Sequence, residues 1–218
     1  MKITIDKVKN DPSVMSYIKK ADESLTALGY TEHGFAHVNR VSALAKSILL
    51  TLGYSKREAE LAEIAGYLHD IGNVINRIEH AQSGAIMAFR ILDKMDAEPD
   101  DVATVITAIG NHDEGTAFPV NAVAAALILA DKSDVRASRV RNKDVPSFDI
   151  HDRVNYAVKY SSLTVNDGVV LLALDIDTSI SPVIDYFEIF LDRMLLCRKA
   201  AEKLNCRFAL MINGQKML

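Results

Sequence analysis

The sequence predicts a mainly α-helical protein, with a helical bundle over residues 1–155 and a small α+β appendage over residues 156–218. Two observations carry this. From about residue 13 to residue 132, apolar side chains recur at spacings of three and four, with little proline inside the segments. After residue 155 the pattern changes to two β-rich runs around Asn166-Asp167-Gly168, followed by a long amphipathic stretch. A chain of 218 residues, 49% hydrophobic and 25% charged, is long enough for one sizeable core.

Each element has a local reason. Val38, Val41, Leu44, Ala45, Ile48 and Leu49 form the apolar stripe of one helix. Ser55, after Gly53-Tyr54, is placed to cap the next, with Glu58 three residues on as its capping-box partner, and Gly72-Asn73 stops it. Further helices are expected over about 80–95, 99–112 and 119–133, the second opening on Pro99, since proline is tolerated in a first turn. The charged stretch KSDVRASRVRNKDVP then precedes YSSLTVNDGVVLLALDID, which reads as an antiparallel hairpin. A helix over about 182–204 follows, and CRFALMI reads as a short strand ending at Asn213-Gly214.

Composition excludes some roles. A net charge of −4 argues against a large nucleic-acid interface or broad binding to anionic membrane, both of which need an extended positive field. The N-terminal residues lack the pattern of a secretory signal, and the longest apolar run, residues 122–130, is less than half of the roughly 20 residues that span a bilayer. A cytoplasmic protein is expected. Cys197 and Cys206 stand apart, without a CxxC pair, and are read as packing residues.

The histidines mark where chemistry is expected. His37 lies near the start of one helix, His69 and Asp70 at the end of the next, His80 at the start of another, His112 at the end of the one after, and Asp131 at the end of the fifth. Antiparallel helices with short connections would bring His69, Asp70 and His80 to one end of the bundle. Convergence of His112 and Asp131 there needs a further chain reversal. Imidazole suits divalent transition metals, and an aspartate directly after a histidine ligand is placed to bridge two ions. Taken singly, a histidine at a helix C-terminus is as well explained by the helix dipole, and a lone aspartate by solvation or capping.

Taken together, the motifs resemble the HD-domain superfamily of metal-dependent hydrolases. The resemblance rests on His37 in an H-x-x-R-V context, His69 and Asp70 in YLHDIG, and Asp131 in ALILADKSD, and implies the HD-domain helical bundle. His80 in EHAQSGA and His112 in AIGNHDEG match the extra histidines of the dinuclear branch. That branch includes diadenosine tetraphosphate hydrolases and, more distantly, HD-GYP phosphodiesterases and myo-inositol oxygenase. The implied metal ligands are His37, His69, Asp70, His80, His112 and Asp131, holding divalent transition metal ions, two in number, from Fe, Mn, Co or Ni. There are departures. Asn73 stands where family members often carry lysine after the HDIG run, so a cation able to meet a substrate phosphate is missing there, and the HD-GYP signature is absent.

The expected activity is hydrolysis of a phosphate ester or anhydride of a small molecule, with nucleotides the leading class. Two ions bridged by Asp70 would lower the pKa of bound solvent toward neutrality. The alternatives are a di-iron oxygenase acting on a polyol or phosphonate, and a metal-stabilised binding module without turnover. Lys132, Arg136, Arg139 and Lys143 would form one cationic stripe if the helix continued past Asp131, and Lys132 and Arg136 are the expected substrate contacts from it. The other reading of the stripe is a solvated face partnered by Asp134 and Asp144. His33, four residues before His37, is a further candidate substrate contact, whereas His151 is expected to be inert. The appendage is expected either to line the pocket or to make a homodimer contact through its hairpin edge.

Overall fold

The structure is a computed structural model describing residues 2–217, apart from the side chain of Pro146. Its α-helices are α1 (Ile5–Lys9), α2 (Pro12–Ala27), α3 (Phe35–Thr51), α4 (Lys56–Leu68), α5 (His80–Lys94), α6 (Pro99–Gly110), α7 (Ala122–Lys132), α8 (Ile150–Ala157) and α9 (Val183–Lys203). Four strands follow the bundle: β1 (Val158–Asn166), β2 (Val169–Ile176), β3 (Arg207–Ile212) and β4 (Gln215–Lys216). The protein is therefore helical with a small sheet at its C-terminal end, as the sequence pattern implies.

Helix α7 is the axis of the bundle. Its sequence, AVAAALILADK, is apolar all round, and Val123 to Ala130 are each essentially inaccessible to solvent, as expected for a helix surrounded by others. It packs against α3, α4, α6 and α9. Helices α3 and α4 approach tightly at Gly66, where a Cβ would stand 2.8 Å from the Ser42 Cα. The capping box of Ser55 and Glu58 is formed at the start of α4.

Beyond Asp70 the chain makes a short 3-10 turn, Ile71–Val74, and reaches α5. Gly72 is required at this turn, since a Cβ would lie 2.0 Å from the His80 carbonyl oxygen and 2.5 Å from the Gly84 nitrogen. Glu79, immediately before α5, adopts φ 58°, a left-handed conformation uncommon for a non-glycine residue and sited next to His80.

The sheet order is β1-β2-β3-β4. β1 and β2 form the expected antiparallel hairpin, with Asp167 and Gly168 both at positive φ in the turn, as a two-residue type I′ connection demands. β3 joins β2 in parallel, which makes α9 a crossover helix. The turn at Asn213-Gly214 leads into β4 rather than ending the sheet. One apolar core runs from the bundle through α9 into the strands, with Phe190, Met194, Leu172 and Leu210 continuing it.

Two boundaries differ from the sequence reading. Helix α7 begins at Ala122, where the Asn121 side chain accepts from the Ala124 amide, rather than near residue 119. It also stops at Lys132, with Ser133 as C-cap, so the helix required for a stripe of Lys132, Arg136, Arg139 and Lys143 does not exist. Arg136 instead has extended backbone, and Arg139 ends a single 3-10 turn. Among the described residues, no helix is long and apolar enough to cross a membrane.

Candidate metal centre

Helix ends converge where the sequence placed its histidines. His37 comes from the first turn of α3, His69 is the residue that closes α4, His80 opens α5, His112 lies just past α6, and Asp131 is in the last turn of α7. All four imidazoles are buried, as is Asp70, with solvent exposures of 0–4%. The 3-10 turn that follows α4 packs on α5, and the packing of α7 against α3, α4 and α6 supplies the reversal that brings His112 and Asp131 to the same end.

The hydrogen bonding fixes which ring nitrogen is available. Nδ1 of His37 donates to Asp134 Oδ2 (2.8 Å), that of His69 to the Gly66 carbonyl (2.9 Å), that of His80 to the Arg77 carbonyl (3.0 Å), and that of His112 to the Ile109 carbonyl (2.6 Å). Each partner is an oxygen that can only accept, so Nδ1 carries the hydrogen and Nε2 is left as a lone-pair donor. These Nε2 atoms face one another: 3.3 Å between His37 and His69, and 3.2 Å between His80 and His112. Two bare lone pairs at that distance repel unless a proton or a metal cation lies between them.

The carboxylates complete three overlapping groups: His37, His69 and Asp70; His69, His112 and Asp131; and Asp70, His80 and His112. Asp70 Oδ2 lies 3.6 Å from His37 Nε2 and 3.3 Å from His69 Nε2, while Asp131 Oδ1 lies 3.2 Å and 3.6 Å from the same two atoms. Five edges of this four-atom figure thus fall between 3.2 and 3.6 Å. A tetrahedron with arms of about 2.1 Å has edges of about 3.4 Å, so these five spacings suit donors to a metal ion. The other oxygen of Asp70, Oδ1, lies 3.5 Å from His80 Nε2 and faces the His80–His112 pair. Asp70 therefore presents one oxygen to each of the two groups that contain it, and its Oδ2 is buried without a hydrogen-bond donor. An orphaned buried carboxylate oxygen among acceptor nitrogens is what metal ligation relieves.

The local field agrees. Burial alone would lower the pKa of His69, but Asp70 and then Asp131 outweigh it and raise it to about 10, so the carboxylates demand positive charge at this point. Asp70 and Asp131 are held well below the usual carboxylate range against the opposing effect of burial, chiefly by His69 and by Lys132 respectively. Burial, then neighbouring His69 and Lys132, keeps His112 well below its ordinary value, as a neutral ligand requires.

Neighbours to which the sequence reading gave no role in positioning the donors hold these groups in place. Asn73 donates from Nδ2 to Asp70 Oδ1 and to the Asp70 carbonyl, each at 2.9 Å, and so orients the Asp70 carboxylate. Asp134 anchors His37 and also receives Arg136 Nε (2.8 Å) and Arg40 Nε (3.1 Å). Burial raises the pKa of Asp134, yet His37 and then Arg139 hold it below the usual carboxylate range.

The donors open into a cavity of about 430 Å³, the size of a small-molecule site. Asp70, His80, His112 and Asp131 form its floor, and the cations Arg77, Lys132, Arg139 and Arg193 are on its walls. Lys132 pairs with Asp131 (2.8 Å) and Glu114 (3.2 Å). His33 lines the cavity but precedes α3 rather than belonging to it, with Nδ1 donating to the Thr31 carbonyl. Arg136 is not among the lining residues; it is turned to Asp134 and Glu32 because α7 has ended. His151, expected to be inert, lines the cavity from α8, and Phe190 and Arg193 line it from α9. The appendage thus contributes to the pocket wall.

Fold and site together define a helical bundle with a buried His/Asp donor set at converging helix ends. Compared with known protein families, the chain matches the HD domain over residues 34–145. That is just over half of its 218 residues, and it belongs to this family. No curated protein shows significant sequence similarity to it. The buried clusters suit divalent metal binding, as expected of an HD domain.

Proposed function

We propose that the protein is a metal-dependent phosphohydrolase of the dinuclear HD branch, cleaving a phosphate ester or anhydride of a small molecule, with nucleotides as the leading class. The observation that carries this is the pair of donor groups sharing Asp70 on the floor of a cavity lined by Arg77, Lys132, Arg139 and Arg193 together with Asp149 and Asp152. One ion would be held by His37, His69, Asp70 and Asp131, and the other by Asp70, His80 and His112, with Fe, Mn, Co and Ni as the candidate metals. When bound, such a pair supplies Lewis acidity and a water-derived nucleophile at neutral pH.

The chain's own residues do the rest. Asp70, fixed by Asn73, sets the spacing of the two groups, and the four Nδ1 anchors hold each imidazole in its ligating tautomer. The wall cations offset the charge of a phosphorylated substrate. His33, kept well below its ordinary pKa by burial and then by Arg139, is a neutral side chain with Nε2 free to accept from a substrate hydroxyl. The likeness to diadenosine tetraphosphate hydrolases rests on the His80 and His112 motifs, so dinucleoside polyphosphates belong in the substrate panel.

The test is anaerobic purification with elemental analysis, followed by a screen of nucleotides and other phosphorylated metabolites with each candidate metal. Anaerobic phosphate release supports the proposal. Oxygen-dependent consumption of a polyol or phosphonate, or no turnover with any metal, would overturn it.

A further inference from the structure

Four cationic side chains line the cavity, and three already have carboxylate partners. Lys132 has Asp131 and Glu114, Arg193 has Glu114, and Arg139 has Asp134 at 3.8 Å. Arg77 has none among the described residues. Its Nη1 lies 3.4 Å from Asn73 Oδ1 and 3.4 Å from His80 Nε2, and its guanidinium is held over the Tyr30 ring at 5.6 Å from the centroid. The Tyr30 face and the Asn73 oxygen thus position a half-buried, unneutralised guanidinium against the donor atom of a histidine in the floor of the cavity.

Such a placement leaves a positive charge with polar contacts but no anionic partner among the described residues. Nη1 can donate over 3.4 Å to the His80 Nε2 lone pair, but a neutral acceptor leaves the guanidinium charge unbalanced, and a cation bound by that imidazole would repel it. An anion touching both removes the conflict, and the planar guanidinium fork suits phosphate better than a point charge does. Resting on the hydrolase reading above, we infer that Arg77 forms a phosphoryl-binding subsite on the His80–His112 side of the cavity. It supplies from position 77 the cation that Asn73 does not provide at position 73. Because Asn73 contacts both Asp70 and Arg77, that one side chain sets the bridging carboxylate and the subsite relative to each other.

The test uses the Mn²⁺-loaded full-length protein, titrated calorimetrically with inorganic phosphate, as wild type, Arg77→Gln and Arg77→Lys, with metal content measured on each. Wild type should bind phosphate. Arg77→Gln should weaken binding by about 10- to 100-fold at unchanged metal content, and Arg77→Lys should recover part of the loss. Equal phosphate binding by wild type and Arg77→Gln, or no binding by either, overturns the inference. So does loss of metal from Arg77→Gln, which would make Arg77 a prop for His80. Its fate is separable from that of the hydrolase reading. Arg77-dependent phosphate binding without phosphate release from any substrate sinks only the latter. Turnover with the same KM and kcat in Arg77→Gln sinks only the former.

Discussion

Replacing Asp134 isolates how far one carboxylate outside the donor set sustains the metal centre. It is 1% exposed, accepts from His37 Nδ1, and is the common partner of Arg40, Arg136 and Arg139. The contributions are unequal. Arg40 is 45% exposed, so its pair is screened and worth at most about 1 kcal/mol. Arg136, at 21% exposure and 2.8 Å, and the buried His37 bond are charge-assisted hydrogen bonds worth roughly 1.5–3 kcal/mol each. Asp134→Ala should therefore cost about 3–5 kcal/mol, in line with other buried charges left without a partner. Asp134→Asn keeps one acceptor oxygen and should cost roughly half of that, lowering Tm by about 4–10 °C in a chain of this size. It should also weaken metal binding by about 10- to 100-fold, because the amide no longer compels His37 to carry its hydrogen on Nδ1. Scanning calorimetry with and without EDTA, and chelator competition for Mn²⁺, measure the two effects. An Asp134→Asn protein with wild-type metal affinity would refute the claim that this carboxylate sets the His37 tautomer.

Three further outcomes are expected. Asp70→Ala should lose metal from both groups and lower turnover by more than about 100-fold, read by elemental analysis and phosphate release; full metal content would contradict the bridging role. Gly72→Ala should destabilise by more than about 3 kcal/mol in urea unfolding, since its Cβ cannot stand 2.0 Å from the His80 carbonyl; a change under about 1 kcal/mol would show that the turn yields easily. Burial would raise the pKa of Glu114, but Lys132 and then Arg193 lower it to about 2. With a depressed folded pKa, its contribution of about 3 kcal/mol is complete above the unfolded value of about 4.3 and disappears as pH falls toward 2. The stability gap between wild type and Glu114→Gln should close over that window, and a gap independent of pH would refute the assignment.

What was legible in the sequence was local. The capping box of Ser55 and Glu58, the Pro99 start, and the Asp167-Gly168 turn each follow from backbone chemistry within a few residues, and each is present. The positions of His37, His69, Asp70, His80, His112 and Asp131 at helix ends were also readable, because helix boundaries are locally encoded. What escaped depended on distant pairing. Asp134 anchors a histidine 97 positions earlier, and neither sequence neighbourhood announces the other. The parallel join of β2 to β3 depends on how α9 packs against the bundle. The cationic stripe failed for one local reason: Ser133 caps α7, after which Arg136 turns to Asp134 and Glu32 and Arg139 takes a place on the wall.

Charge continuity explains why residues beyond the HD match belong to the site. Asp131 pairs with Lys132, Lys132 with Glu114, and Glu114 with Arg193 of α9, so a floor residue is joined to the appendage through alternating charges. The chain begins at buried groups, where removing one member strands its neighbour. Phe190 stacks on Arg193 at 4.4 Å while packing into the core that α9 shares with the strands, so the apolar fit of the appendage fixes the guanidinium at the end of this chain. Since α9 is held in turn by β2 and β3, the small sheet positions a wall of the cavity without touching it, and disturbing β3 packing should alter ligand affinity before it alters metal content.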